Sequence, residues 1–491
     1  MTLIGLAAMA TPAGAAPAIA GIDVTPAAAH PGEPITVSVA VSGSPDEVTV
    51  EVQMPVGTVS ISAPASDPDG DGIYTATLDA PAVLGSYRVN VTAQDASGSA
   101  AQSDTVNVKA MQRLAGMDRV TTAVAVSKDA FADATAPAVV LARADAFPDA
   151  LAAGALAKRL GGPILLTAGD SLRDEVRAEL ERVLAANGDV IIVGGPAGIS
   201  EDVQAEVAAT GADVERIAGN DRFETSAAIA ERAGTADGSA VVTTGLAFPD
   251  ALAVSGYAAT RGIPILLVAR DQVPPAVADV IATLGIDTTI VVGGASAVSD
   301  DVMAQLPQPS RISGENRYQT AVAVANELYA GQVLDDVLIA SGANFPDALA
   351  GGLLAGLRGA PIILSTPDQL PPVVADFLAQ HADDLHYVIV LGGAAAIDTT
   401  VLNAVDGMLT PESAYDYDEE DFDYQGGRPG TPDYPTGPDD GFSNPDSWTI
   451  PPATEQPDSG SETQPTEPQP TEPQPTDGSS QEPSTTTTTM R

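Results

Sequence analysis

Hydrophobic positions along this chain follow two rules, and the change from one to the other marks its architecture. Between residues 21 and 109 apolar and polar residues alternate, in ITVSVAVSG from Ile35, VTVEVQM from Val48, IYTATLDA from Ile73 and YRVNVTAQDASG from Tyr87. Alternation over short segments broken by turns predicts half-buried antiparallel strands and an all-β sandwich. From residue 111 onward the strand-like segments are continuous apolar runs, AVVLARA from Ala138, PILLT from Pro163 and DVIIVGG from Asp189. Runs of that kind need cover on both faces. Helical stretches lie between them: Ala-rich Val120 to Asp133, then Asp149 to Leu160, Leu172 to Asn187 and a helix after Ser200. Alternating strands and helices predict a small doubly wound parallel sheet of flavodoxin-like or Toprim-like layout, with RLAG at Arg113 as the short strand that opens it.

The α/β pattern occurs three times. RLAGMDRVTTAVAVS from Arg113 returns as RIAGNDRFETSAAIA from Arg216 and RISGENRYQTAVAVA from Arg311, spaced 103 and 95 residues apart. That is the length of a small domain and not of a solenoid unit. Each copy also carries FPDAL, at Phe147, Phe248 and Phe345, and a glycine pair, at Gly194-Gly195, Gly293-Gly294 and Gly392-Gly393. The expected order is a signal-like leader (1–20), an immunoglobulin-like β-sandwich (21–109), three modules (111–212, 213–309 and 310–405) in pseudo-threefold arrangement, and a tail (406–491). The leader is the apolar run 2–10, with Ala13-Gly14-Ala15 or Ala18-Ile19-Ala20 as a cleavage site; it lacks a basic start. The tail, with EPQPT units and threonines, has little to bury and reads as disordered.

Charge narrows the function. A net −45 with only three lysines, Lys109, Lys128 and Lys158, excludes nucleic acid, whose backbone is bound by clustered cations, and an anionic membrane surface. From Asp406 the tail holds 19 acids against 2 arginines, −17 of that total, so the remainder is acidic too. No run of eighteen apolar residues predicts a membrane span. The absence of cysteine removes disulfides, thiolate zinc sites and cysteine nucleophiles.

The recurring residues supply the candidate chemistry. Arg113 and Arg119, Arg216 and Arg222, and Arg311 and Arg317 stand six apart around a glycine. A planar guanidinium grips a carboxylate or phosphate with two bonds, so these arginines either face an anionic ligand or pair with the fold's own Asp118, Asp221 or Glu315. Asp149, Asp250 and Asp347 follow Phe-Pro at a loop-to-helix junction, where capping of the helix is the expected role. The glycine pairs fall where open α/β sheets bind ligands, but no GxGxxG or Walker lysine accompanies them. His30, His381 and His386 belong to no repeated landmark, and no HExxH, GxSxG or nucleophile with a base is visible. Asp67, Asp69 and Asp71 alternate in a glycine-containing turn, the early part of a calcium-loop pattern without its closing glutamate; an Asp/Gly turn and a calcium site are the two readings.

The triplicated R(L/I)(A/S)GxxR block, the FPDAL turn, the ILL-type strand and the glycine turn resemble the cell wall binding repeat 2 family over about residues 111–405. The resemblance implies a secreted protein of the cell surface, S-layer associated, held without covalent bonds by an anionic or neutral wall polysaccharide or teichoic-acid-like polymer. With no catalytic motif visible, no enzyme is expected, and no cofactor is required beyond possible calcium. The family's ILL motif, implicated in polymer attachment, falls on Ile164, Leu165 and Leu166, on Ile265, Leu266 and Leu267, and, as a departure, on Ile362, Ile363 and Leu364. Three apolar residues in a central strand are equally the pattern of a core. The sandwich is then the remaining folded candidate for an effector, open to other surface proteins as an adhesin or spacer. A nucleotide- or glycan-processing envelope enzyme is the rival reading.

Overall fold

The computed structural model describes residues 16–54, 60–344 and 346–411; the expected leader up to residue 15 and the tail from residue 412 lie outside them. The N-terminal region is built of two sheets. One orders Ala18–Thr25, Pro34–Ser42 and Ile73–Asp79, the other Ala28–Ala29, Gly98–Val108, Gly85–Asp95, Glu47–Gln53 and Ile61–Pro64. All pairings are antiparallel except that of the two-residue strand. The alternation seen in sequence becomes burial: Val37, Val50, Val89 and Val91 share one closed core, and their immediate neighbours along each strand are half-buried or exposed. The first strand begins at Ala18, three residues before the expected edge of the domain, so the triplet Ala18-Ile19-Ala20 lies within it.

Each repeat builds a four-stranded parallel sheet with helices on both faces. In the first, the order is Ile164–Thr167, Ala136–Arg143, Leu184–Val193 and Asp213–Ile217. Numbered within the sheet this is 2-1-3-4, the doubly wound order whose direction reverses between strands one and three. The runs are buried end to end because helices cover both sides, as their lack of alternation predicts. The helix expected over 172–187 stops at Val183. Asn187 takes a left-handed φ of +63°, tolerable for asparagine, and the chain is strand by then, with Leu184 paired to Ala136.

The fourth strand of each sheet comes from another repeat. Asp213–Ile217, which carries Arg216, completes the sheet of the first repeat, and Pro309–Ile312, which carries Arg311, completes that of the second. Ala110–Leu114, which carries Arg113, does not open the first module at all. It pairs in parallel with Tyr387–Leu391 and completes the sheet of the third. Each repeat thus lends its opening strand to the repeat before it, and the first lends to the last. The ring is closed by a pairing between residues some 280 positions apart, which a sequence repeat does not reveal.

Around the middle of the ring the helices that follow FPDAL pack on one another through small residues. A methyl group on Gly256 would stand 2.8 Å from the Cβ of Ala355, so close approach requires glycine there. Lys158 breaks the threefold pattern: its Nζ donates to the carbonyls of Gly356 (2.9 Å) and Thr260 (3.4 Å), at the negative ends of the two neighbouring helices. Arg358 joins the third repeat to the first through a buried ion pair with Asp129 at 3.0 Å.

The β-domain rests on the third repeat. Buried His30 Nε2 lies 3.1 Å from Asp406 Oδ1, and His386 lies between Asp335 (2.7 Å) and Ser86 (3.1 Å). Asp406 is part of the helix Thr399–Leu409, whose Val405 and Leu409 are buried, so the folded chain continues past the expected start of the tail.

Candidate binding site at the repeat junctions

The two arginines of each repeat divide in role. The first clamps the glycine turn of the preceding repeat. Arg216 donates to the carbonyls of Gly194 (2.8 Å) and Ser200 (3.4 Å) and to Gln204 (2.9 Å). Arg311 donates to Gly293 (2.6 Å), Val298 (2.9 Å) and Asp300 (3.1 Å). Buried Arg113 donates to Gly392 (2.6 Å) and Ile397 (2.8 Å). Their partners are mainly backbone carbonyls, of the glycine turn at the end of a parallel strand and of the loop that leads from it to the next helix, not the acids proposed as rivals. Asp118 and Asp221 instead cap the following helix, Asp118 accepting from Val120 and Thr121 at 3.0 Å. Asn316 in the third repeat does the same work with an amide oxygen, so its lost charge leaves the cap intact.

The second arginines reach the junction. Arg222 and Arg119 each donate one Nη1 to a loop carbonyl, Gly245 at 2.6 Å and Ala144 at 3.1 Å, and Arg317 donates to Gly342. Arg222 stands 5.9 Å over the ring of Phe147 and Arg317 5.8 Å over that of Phe248, each ring belonging to the preceding repeat. The third repeat's Phe345 lies outside the described residues.

Between these groups sit the FPDAL carboxylates, and they correct the capping expectation. Phe147 and Phe248 occupy the N-cap positions without a side-chain cap bond, and Asp149 and Asp250 are inside the first turn. Each points across the switch of strand order at the glycine turn: a Cβ on Gly194 would meet Asp149 Oδ2 at 2.7 Å, and one on Gly293 would meet Asp250 Oδ2 at 2.5 Å. Those glycines have φ of +112° and +117°, so both conformation and space exclude a side chain. Asp149 and Asp250 are half-buried and make no hydrogen bond among the described residues, whereas Asp347 accepts from Thr122 at 3.0 Å. Burial pushes the Asp149 carboxyl up to about 6 against the opposing charges of Arg143 and Arg222. Burial likewise raises Asp250 to about 6, opposed by Arg317. Asp347 also lies above the usual range, for the same first cause.

Other sequence candidates fall elsewhere. All nine ILL-type residues, Ile164 to Leu166, Ile265 to Leu267 and Ile362 to Leu364, are at most 2% exposed, so no face of them is offered to a polymer. His30 and His386 belong to the joint with the β-domain, and His381 packs against Phe377 with the rings tilted at 50°. Asp67, Asp69 and Asp71 bring one oxygen each within 4.8 Å of one another, and Asp67 also accepts from the backbone of Gly70, Asp71 and Gly72. Two shallow hollows open on the flank of the first repeat, one of about 480 Å³ lined by Glu201, Gln204 and Val214 and one of about 230 Å³ lined by Leu184, Asn187 and Thr210. No helix among the described residues is long and apolar enough to cross a membrane.

Three doubly wound modules, closed into a ring by exchanged strands and presenting one carboxylate–arginine constellation at each junction, define a repeat-built binding protein. The chain belongs to the cell wall binding domain 2 (CWB2) family, whose model matches residues 113–204, 216–303 and 311–402. It is a secreted protein associated with the cell wall. Among similar proteins, N-acetylmuramoyl-L-alanine amidase LytC of Bacillus subtilis is 32% identical over 305 residues, 62% of this chain and 60% of the relative. The amidase enhancer of the same organism is 32% identical over 302 residues, 61% of this chain and 40% of the relative. The match thus covers under two thirds of either relative. Cwp6 and Cwp8 from Clostridium difficile share the fold, each with a TM-score of 0.57 and 21% identity, covering 79% and 77% of this chain and 68% and 89% of theirs.

Proposed function

We propose that the three junctions together hold a wall glycopolymer without covalent bonds and so anchor the chain to the envelope. The observation that carries this reading is the pair of half-buried carboxylates, Asp149 and Asp250, without hydrogen bonds among the described residues and beside an arginine and a phenylalanine. A carboxylate accepts two sugar hydroxyls, a guanidinium donates to ring and substituent oxygens, and an aromatic face takes the apolar side of a pyranose. Several junctions engaged on one polymer gain on the order of 10²–10⁴ in avidity over one, which offsets the repulsion a −45 chain meets from an acidic wall. The ILL-type strands act in this reading as core, supporting the junctions from beneath.

The modules act as anchor and not as catalyst, and the amidase activity in the name of LytC is that protein's own. The N-terminal β-domain, read as an immunoglobulin-like sandwich, is the cargo carried by the anchor. Full-length protein mixed with purified wall should sediment with it and be released by denaturant. Material that stays bound in denaturant and is freed only by muralytic digestion would instead establish covalent attachment.

A further inference from the structure

The three junctions share a plan but differ at their mouths. Strand pairing fixes the equivalence: Arg143, Thr244 and Ser341 stand at one register, opposite Thr167, Val268 and Ser365. Two residues on, the corresponding positions are Asp145, Leu246 and Ala343. In the first junction Arg143 holds the exposed Asp145 through Nε and Nη2, both at 2.6 Å. Its Nη1 makes no hydrogen bond among the described residues and stands 3.4 Å from where a Cβ on Gly198 would be. Across the same junction Arg222 uses only one Nη1 bond, to Gly245. Asp149 therefore feels two guanidinium groups, whereas Asp250 feels one, from Arg317. The second mouth is apolar, with Leu246 62% exposed.

We propose that the Arg143–Asp145 pair makes the first junction, alone of the three, the subsite for an acidic substituent of the glycopolymer, a carboxylate or a phosphate. The incoming anion takes the place of Asp145 along the Nε–Nη2 edge of Arg143 and shares Arg222. An exposed ion pair contributes little, so exchanging its carboxylate for a ligand's costs little. The fork of Arg143 then offers the ligand two parallel bonds that Thr244 and Ser341 cannot make. This inference rests on the wall-binding reading.

The test uses the full chain and isolated wall in three preparations: untreated, treated with cold hydrofluoric acid to remove phosphodiester-linked groups, and carboxyl-reduced with carbodiimide and borohydride. Wild-type protein should bind one treated wall about tenfold more weakly than the untreated one, and the sensitive treatment names the source of the anion. Arg143→Thr, which installs the second repeat's residue at this register, should bind untreated wall as weakly as wild type binds the sensitive preparation, with no further loss on treatment. Asp145→Asn frees Arg143 and should tighten binding to untreated wall about threefold, a gain that misfolding cannot produce. The proposal is overturned if Arg143→Thr keeps the full discrimination, if Asp145→Asn brings no gain, or if wild type ignores both treatments. Failure of wild type to bind untreated wall removes the anchoring reading and this inference together; binding without these differences removes only the inference.

Discussion

The sheet-closing strands and the rims of the junctions use the same residue for opposite ends. Arg113, Arg216 and Arg311 spend their donors on carbonyls of the neighbouring repeat, and Arg113 is buried while doing so. Arg119, Arg222 and Arg317, six residues on, give one donor each to a loop carbonyl and leave the rest at the surface beside a phenylalanine or a carboxylate. Identity and spacing do not separate the two roles. What separates them is the backbone each meets: the glycine turn and the loop after it supply two carbonyls to each first arginine, and the mouth of a junction supplies one to each second.

Substitutions should divide along the same line, with interior changes felt as stability and rim changes as binding. Leu165→Ala should cost about 4 kcal/mol, because a fully buried side chain leaves a cavity in the first sheet. Urea unfolding would measure it, and wall affinity of the folded fraction should stay unchanged. Arg113→Ala should cost about 3 kcal/mol by stranding two buried carbonyls, and it should loosen the third sheet first, visible as early hydrogen exchange in Tyr387–Leu391. Arg222→Ala should cost no more than about 1 kcal/mol, since one hydrogen bond and one ring contact are lost, yet weaken wall binding several-fold. Equal stability losses for Arg113→Ala and Arg222→Ala would erase the distinction.

The smallest and most specific change is one of sign. Asp149 and Asp250 titrate near 6 when folded, above the ordinary 3.8. Between these values the native chain holds protons that the unfolded chain has released, so their contribution to stability is full below about pH 4 and is lost as pH rises through 6. Asp67, Asp118, Asp145 and Asp237 are lowered and act oppositely, so the effect is read as the difference between wild type and variant across pH. Asp149→Asn should be more stable than wild type by about 1 kcal/mol at pH 7, with the difference vanishing toward pH 4.

Much of this architecture was legible in the chain. Alternation and continuous runs separated the antiparallel sheets from the parallel ones, and the triplicate landmarks located the repeats. The lending of strands was not legible, because a short parallel strand such as Ala110–Leu114 carries no mark of its partner. The cap signal was misplaced for a related reason: Asp149 and Asp118 both stand where a helix begins, and only the backbone shows Phe147 at one N-cap and Asp118 at the other. The ILL-type run was ambiguous between core and contact until burial decided it. Arg143 escaped notice because it belongs to no repeated motif, and the absence of an arginine at the equivalent positions is the signal that could have drawn attention to it.

The central claim, that the junction carboxylates are kept for binding at a cost to stability, is tested most directly by the double variant Asp149→Asn, Asp250→Asn, with its unfolding free energy and wall affinity measured side by side at pH 7. We predict a chain more stable than wild type that binds wall at least about tenfold more weakly. A chain that is destabilised, or one that binds wall as wild type does, would contradict the account.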